Sequence, residues 1–179
     1  TRLWSRETGC GEITALCPAG DNLTLLAGDS QGAIYHLDIR DGRIIHTFPL
    51  HQSPVTCLTP SQNGTVVACG HADGVVSVVG IADSRIRYLQ PGSPDPVTAV
   101  EFTHDGTGCI VIHNRALPVL HDIPTTTRLR VFPEHAGRTV CSTISAEGGW
   151  FVVGNNNHTL RVWNIRKTRP AAVIPLYNR

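Results

Sequence analysis

The feature that most constrains this chain is internal repetition. Four segments begin alike: Ile13-Thr14-Ala15-Leu16, Val55-Thr56-Cys57-Leu58, Val97-Thr98-Ala99-Val100 and Val140-Cys141-Ser142-Thr143, with starts 42, 42 and 43 residues apart. A fixed period of this length marks stacked supersecondary units, none of which can bury its apolar face alone. The residues divide into a short leader (1–12) and four units, 13–54, 55–96, 97–139 and 140–179.

Each unit runs through the same series. The opening segment ends in a turn: Pro18 to Asn22, Pro60 to Gly64, Thr103 to Gly106, and Ser145 to Gly149. Their Gly, Asn and Asp reach left-handed backbone cheaply. A second apolar run follows (Leu23 to Gly28, Thr65 to Gly70, Cys109 to His113, Trp150 to Gly154), then a third (Ala33 to Ile39, Val75 to Ile81, Pro118 to Ile123, Thr159 to Ile165). A loop leads to the fourth (Ile44 to Phe48, Ile86 to Leu89, Leu129 to Phe132, Ala171 to Ile174). The runs are about five residues long, rich in Val, Ile, Thr and Leu, and no window carries apolar residues at helical spacing between caps. The expectation is an all-β chain with four short strands per unit.

Composition agrees with a folded chain. Hydrophobic residues make up 41% and charged residues 16%, too apolar and too weakly charged for disorder. The net charge of +1 argues against bulk attraction to nucleic acid or an anionic membrane. Apolar runs such as Gly74 to Ile81 fall far short of the roughly 20 residues that span a bilayer, and no signal segment opens the chain. An intracellular protein, cytoplasmic or nuclear, is expected. Methionine is absent and Lys167 is the single lysine, so the chain is expected to be part of a longer one. The six cysteines (Cys10, Cys17, Cys57, Cys69, Cys109, Cys141) form no CxxC and no Cys/His zinc spacing. The four inside apolar runs read as small buried hydrophobes.

At this point the sequence resembles the WD-repeat β-propeller family, whose blades are four-stranded sheets of about 40 to 45 residues. Asn157-His158-Thr159-Leu160-Arg161-Val162-Trp163-Asn164 is similar to the family's repeat ending, with Asn164 in place of the usual Asp, and Gly28 to Gly32 is similar to its Gly/Asp turn. Departures stand beside the likeness. The Gly-His pair appears only as Leu50-His51 and Glu134-His135, and the third-strand Trp position is read as Leu37, Val79 and Leu120 in the other units. The resemblance implies about four antiparallel blades, part of a seven- or eight-bladed propeller with further blades N-terminal to Thr1. It makes Arg2-Leu3-Trp4 the outer strand of a preceding blade. It also implies a bracing network of a His, a turn Asp and the Trp, so Asp29 and Trp163 are structural; His135 and Trp163 match two of its positions, and His51 with Asp73 or Asp29 is expected to retain fragments of it.

No constellation supports catalysis, a cofactor or a metal. His71-Ala72-Asp73 reads as an acid–base or metal pair or, more plainly, as a polar turn whose Asp73 holds amides ahead of Gly74. The glycines fall one or two at a time, so no phosphate-cradling loop exists.

Function in such scaffolds lies on loops. One face carries the connections between units and the second-to-third strand turns: His51, Gln52, His71, Asp73, Arg115, Glu134, His135, Arg138, Asn155, Asn156 and Asn157. Its mixed polarity suits protein contact. The opposite face carries Arg40, Arg43, Arg85, Arg87, Arg128, Arg130, Arg166, Lys167 and Arg169, a basic arc able to grip RNA phosphates or an acidic segment. Interleaved Asp38, Asp41 and Asp83, and few aromatics for base stacking, weigh against nucleic acid. The expected function is a non-enzymatic interaction scaffold within a multiprotein complex. The alternatives are an RNA- or phosphate-binding propeller using the arc, and a regulatory sensor domain of a large multidomain protein.

Overall fold

The structure is a computed structural model, and it describes residues 4–5, 11–21, 23–49, 51–89, 93–133, 137–167 and 169–176. Among these there is no helix; sixteen strands form four antiparallel sheets. The first holds β1 (Ile13–Pro18), β2 (Thr24–Asp29), β3 (Ala33–Asp38) and β4 (Ile44–Pro49). The second holds β5 (Val55–Pro60), β6 (Val66–His71), β7 (Val76–Gly80) and β8 (Ile86–Leu89). The third holds β9 (Val97–Phe102), β10 (Gly108–His113), β11 (Val119–Asp122) and β12 (Arg128–Val131). The fourth holds β13 (Thr139–Ile144), β14 (Trp150–Asn155), β15 (Thr159–Asn164) and β16 (Pro170–Pro175). Within each sheet the strands pair in chain order, and the first strands lie side by side, β1 against β5, β5 against β9, and β9 against β13.

Strand alternation explains the stacking. Successive side chains point to opposite faces of a strand, so each middle strand serves two interfaces. Val67 and Cys69 of β6 pack toward Leu26, Ile34 and Phe48 of the first sheet, while Ala68 between them joins Val97, Cys109 and Val111 of the third. Likewise Cys109 and Val111 face the second sheet, whereas Ile110 and Ile112 meet Phe151, Val153 and Trp163 of the fourth. Three layers of the core therefore lie between sheets, and a fourth cluster, Ala27, Tyr35 and Leu37, lies on the other face of the first sheet.

Polar links join the inner strands. Thr14 Oγ1 donates to the Val55 carbonyl at 2.5 Å, and Thr56 Oγ1 to the Val97 carbonyl at 2.7 Å. Thr98 instead donates to Ile112 of its own sheet at 3.0 Å, and the inner strands of the third and fourth sheets are joined by the Ser142 hydroxyl, which donates to Glu101 Oε1 at 2.8 Å. The turns after the second strands lock against the next connection. Gly32 (φ +86°) and Gly74 (φ +87°) leave no room for a side chain, since a Cβ would lie 1.7 Å from the His51 carbonyl oxygen and 2.1 Å from that of Ser93.

Register corrects two positions. Ile13, Val55 and Val97 pair with Asp29, His71 and His113, and the residue doing so in the fourth sheet is Thr139, opposite Asn155, rather than Val140. The four starts are then evenly 42 residues apart. In the third strands, Leu37, Val79 and Trp163 face Leu25, Val67 and Phe151, and the residue facing Cys109 is His121, not Leu120. Leu120 points the other way, into the layer shared with the fourth sheet.

Trp4 is not in a strand: its indole N–H donates to the Ile39 carbonyl at 2.5 Å and its ring covers Gly42. Arg2 and Leu3 lie outside the described residues. Cys17, Cys69 and Cys109 are buried and Cys57 partly so, as small hydrophobes would be, while Cys141 is exposed; Cys10 lies outside the described residues.

Candidate functional site

The loop face is built at the second sheet from His51, in the connection before β5, and Asp73, in the turn after β6. His51 Nε2 and Asp73 Oδ2 form a hydrogen-bonded pair at 2.5 Å. Asp73 Oδ1 also accepts the Val75 N–H, and Ser53 Oγ accepts the Asp73 N–H, so the pair ties a connection to a turn. Partial burial acts to raise the Asp73 carboxyl, but the His51 ring and the Val75 amide outweigh it and hold the group below the usual carboxylate range.

His71 does not reach the loop surface. It ends β6 wholly buried, with Nδ1 3.1 Å from the Ser53 carbonyl and Nε2 2.9 Å from Ser77 Oγ. Burial lowers its pKa against the opposing pull of the Ser53 bond. The His71–Ser77 spacing would suit a base and nucleophile, yet both side chains are sealed from substrate and one ring nitrogen is committed to a carbonyl. Burial also pushes the thiols of Cys17 and Cys57 up to about 11 and that of Cys109 up to about 12, which keeps them protonated and unreactive.

The equivalent position in the other sheets is polar and buried too. Asp29 accepts from the Gln31 and Ala33 amides and the Tyr35 hydroxyl, each at 2.9 Å. His113 Nε2 lies 3.1 Å from the Gly74 carbonyl of the neighbouring sheet. Asn155 is buried beside Thr159, also away from the loop surface. Trp163 is buried without a hydrogen bond to its indole N–H among the described residues; Phe151 at 5.6 Å and Phe132 at 6.0 Å hold it by ring packing. His135, its expected partner, lies outside the described residues with Glu134. The bracing pair that the geometry does contain is His51 with Asp73.

Gln52, Arg115, Arg138 and Asn157 are exposed. Arg138 matters most by position. Its backbone is pinned by Asn156, whose N–H donates to the Arg138 carbonyl at 3.0 Å and whose Oδ1 accepts the Arg138 amide at 2.9 Å. Its guanidinium meets no carboxylate among the described residues, and Arg138 lines a 430 Å³ pocket with Thr56, Pro96, Val97, Asn114 and Val140. Sequence reading missed Thr56, Pro96, Val97 and Asn114 as a site, although each sits where a first strand begins or a second strand ends, a place the period alone could have marked.

The opposite face is less uniform than an arc. Arg40 forms a forked bond with Asp38, Nη2 to Oδ2 at 2.6 Å and Nε to Oδ1 at 3.0 Å, which lowers the Asp38 carboxyl to about 2. Arg85 pairs with Asp83 at 3.5 Å, and an Arg130 N–H donates to the Ile165 carbonyl. Arg43, Arg87, Arg128, Arg166, Lys167 and Arg169 have no carboxylate within ion-pair distance among the described residues.

Residues 42–79 and 126–164 each match the family model described as WD domain, G-beta repeat. No curated protein matches the chain. The matched stretches run from the edge of β4 through most of β7 and from the edge of β12 through β15, so each joins the outer strand of one sheet to the inner three of the next. Propellers of this kind are generally non-enzymatic. Two stretches matched as WD repeats and four four-stranded antiparallel sheets stacked inner strand to inner strand are together consistent with a partial WD-repeat β-propeller.

Proposed function

We propose that the chain is a non-enzymatic scaffold domain of a larger protein complex, and that it holds its partner on the loop face around Arg138. WD repeats generally mediate protein–protein interaction. The observation that carries the finer reading is the 430 Å³ pocket lined by Arg138 and Asn114 together with apolar Pro96, Val97 and Val140, where the Arg138 guanidinium meets no carboxylate among the described residues. A cation and an amide above an apolar floor suit an extended partner segment that brings an acidic side chain beside a small apolar one. The sheets hold these groups in fixed relation, so little ordering cost is incurred on binding.

The phosphate-binding alternative has less behind it, because Arg40 and Arg85 already spend their charge on Asp38 and Asp83. The test is a photo-crosslinking residue at Asn114 in the full-length protein, followed by affinity measurement on the protein captured. Arg138→Glu should weaken that affinity about tenfold or more. Affinity unchanged by Arg138→Glu, or RNA as the sole adduct, would overturn the reading.

A further inference from the structure

The four innermost strands are uncharged except at one position. In register, Cys17, Thr59, Glu101 and Thr143 occupy the same place, and Glu101 is the single ionisable carboxylate among twenty-four residues of β1, β5, β9 and β13. A charge where the repeat otherwise keeps small neutral side chains is a cost to folding that packing does not explain.

Glu101 is half-buried, and one carboxylate oxygen accepts the Ser142 hydroxyl of the fourth sheet at 2.8 Å. Among the described residues that is its one hydrogen bond. No Lys, Arg or His among the described residues lies within ion-pair distance, and burial raises its pKa against the Ser142 bond. The carboxylate lines a 210 Å³ recess between three sheets, where Pro60, Phe102 and Ile144 supply apolar wall and Gln62, His104 and Ser145 a polar rim. Nearby Asp105 does not compete: its carboxylate is taken up by the Thr103 hydroxyl at 2.6 Å and the Thr107 amide at 3.0 Å.

We propose that this recess, on the face opposite Arg138, receives one basic side chain, Lys or Arg, of a protein partner, with Glu101 as counter-charge. The proposal deepens the scaffold reading and rests on it. A recess this small is below the roughly 300 Å³ at which drug-sized pockets begin, which fits one side chain rather than a cofactor. An alkyl stem against Pro60 and Ile144 with a cation on Glu101 satisfies both the apolar wall and the half-buried charge.

The test uses the full chain and 13C-labelled glutamate, with Nα-acetyl-lysine amide, Nα-acetyl-arginine amide and calcium chloride as separate probes. Either amide should lower the titration midpoint of the Glu101 carboxyl, saturating at concentrations on the order of 10 mM, as a single contact allows. Glu101→Gln, which removes the titrating carboxyl, assigns its resonance, and Glu101→Thr, which restores the residue of the neighbouring repeats, should melt higher than the parent. No response to either amide, a response to calcium alone, or a lower melting point for Glu101→Thr each overturns the proposal. The Arg138 crosslink is read on the other face, so either result can fail while the other stands.

Discussion

His121 occupies in the third sheet the place that Trp163 occupies in the fourth: each stands opposite the second strand's corresponding residue, Cys109 or Phe151, and each is fully buried. The substitution of an imidazole for an indole leaves both His121 ring nitrogens without a partner among the described residues. Burial comes first in depressing its pKa, and Arg128, opposite it on β12, and His113 add to the effect, bringing it to about 4.

Stability should therefore depend on acid in a definite direction. With a folded pKa of about 4 and an ordinary value of 6.5, the unfolded chain takes up the proton first as pH falls, so stability is intact above pH 6.5 and is lost between 6.5 and 4. His121 alone should cost about 3 kcal/mol by pH 4. Burial also lowers His71 and His113, which act in the same sense. Melting temperatures of the parent and His121→Phe across pH 7 to 4 check this: the variant should melt higher and lose less on acidification.

Removing Trp163 should be the most damaging single change in the fourth sheet. Trp163→Ala empties a site shared with Phe132 and Phe151 and should cost about 3 to 5 kcal/mol. Because its indole N–H has no partner among the described residues, Trp163→Phe should recover most of that loss in urea unfolding. A Trp163→Phe variant as unstable as Trp163→Ala would show that a hydrogen bond, not ring packing, holds the residue.

The His51–Asp73 pair should contribute modestly, since both groups are partly exposed. Asp73→Asn should cost about 1 kcal/mol by thermal melting. The folded Asp73 pKa is depressed, so its contribution is present above the ordinary carboxylate pKa and disappears as pH falls through the lower folded value. The difference between parent and Asp73→Asn should vanish in that acid range.

The inner-strand threonines predict where the stack opens. Thr56→Val should loosen the second and third sheets by about 1 kcal/mol, whereas Thr98→Val, whose hydroxyl bonds within its own sheet, should leave the joint to the fourth sheet unchanged. Hydrogen exchange should find β13 to β16 opening first, before any variant is made.

The period, the turns and nearly every strand were legible because Gly, Asn and Asp punctuate short β-branched runs at constant spacing. What escaped was register. A bulge follows the first residue of β1, β5, β9 and β13, and one extra residue breaks the alternation that pattern reading relies on. Apolar Val140 therefore looked like the counterpart of Val97, although Thr139 holds that place and Val140 is 63% exposed. The loop-face list failed at His71 and Asn155 for a related reason: both close a second strand, where the side chain turns inward. The recess at Glu101 needed three sheets to converge, yet superposing the four opening strands would have singled out its one charge.

The offset between matched repeat and sheet has a consequence for how such a chain can grow or shrink. Each matched stretch crosses from the outermost strand of one sheet into the next, so the genetic unit and the mechanical unit are out of phase by one strand. Excising 42 residues between equivalent positions leaves no orphan strand, because the piece lost from one sheet is replaced by its counterpart from the following one. The joint heals wherever the cut is placed. The length of the array is thus free to vary while every blade keeps four strands.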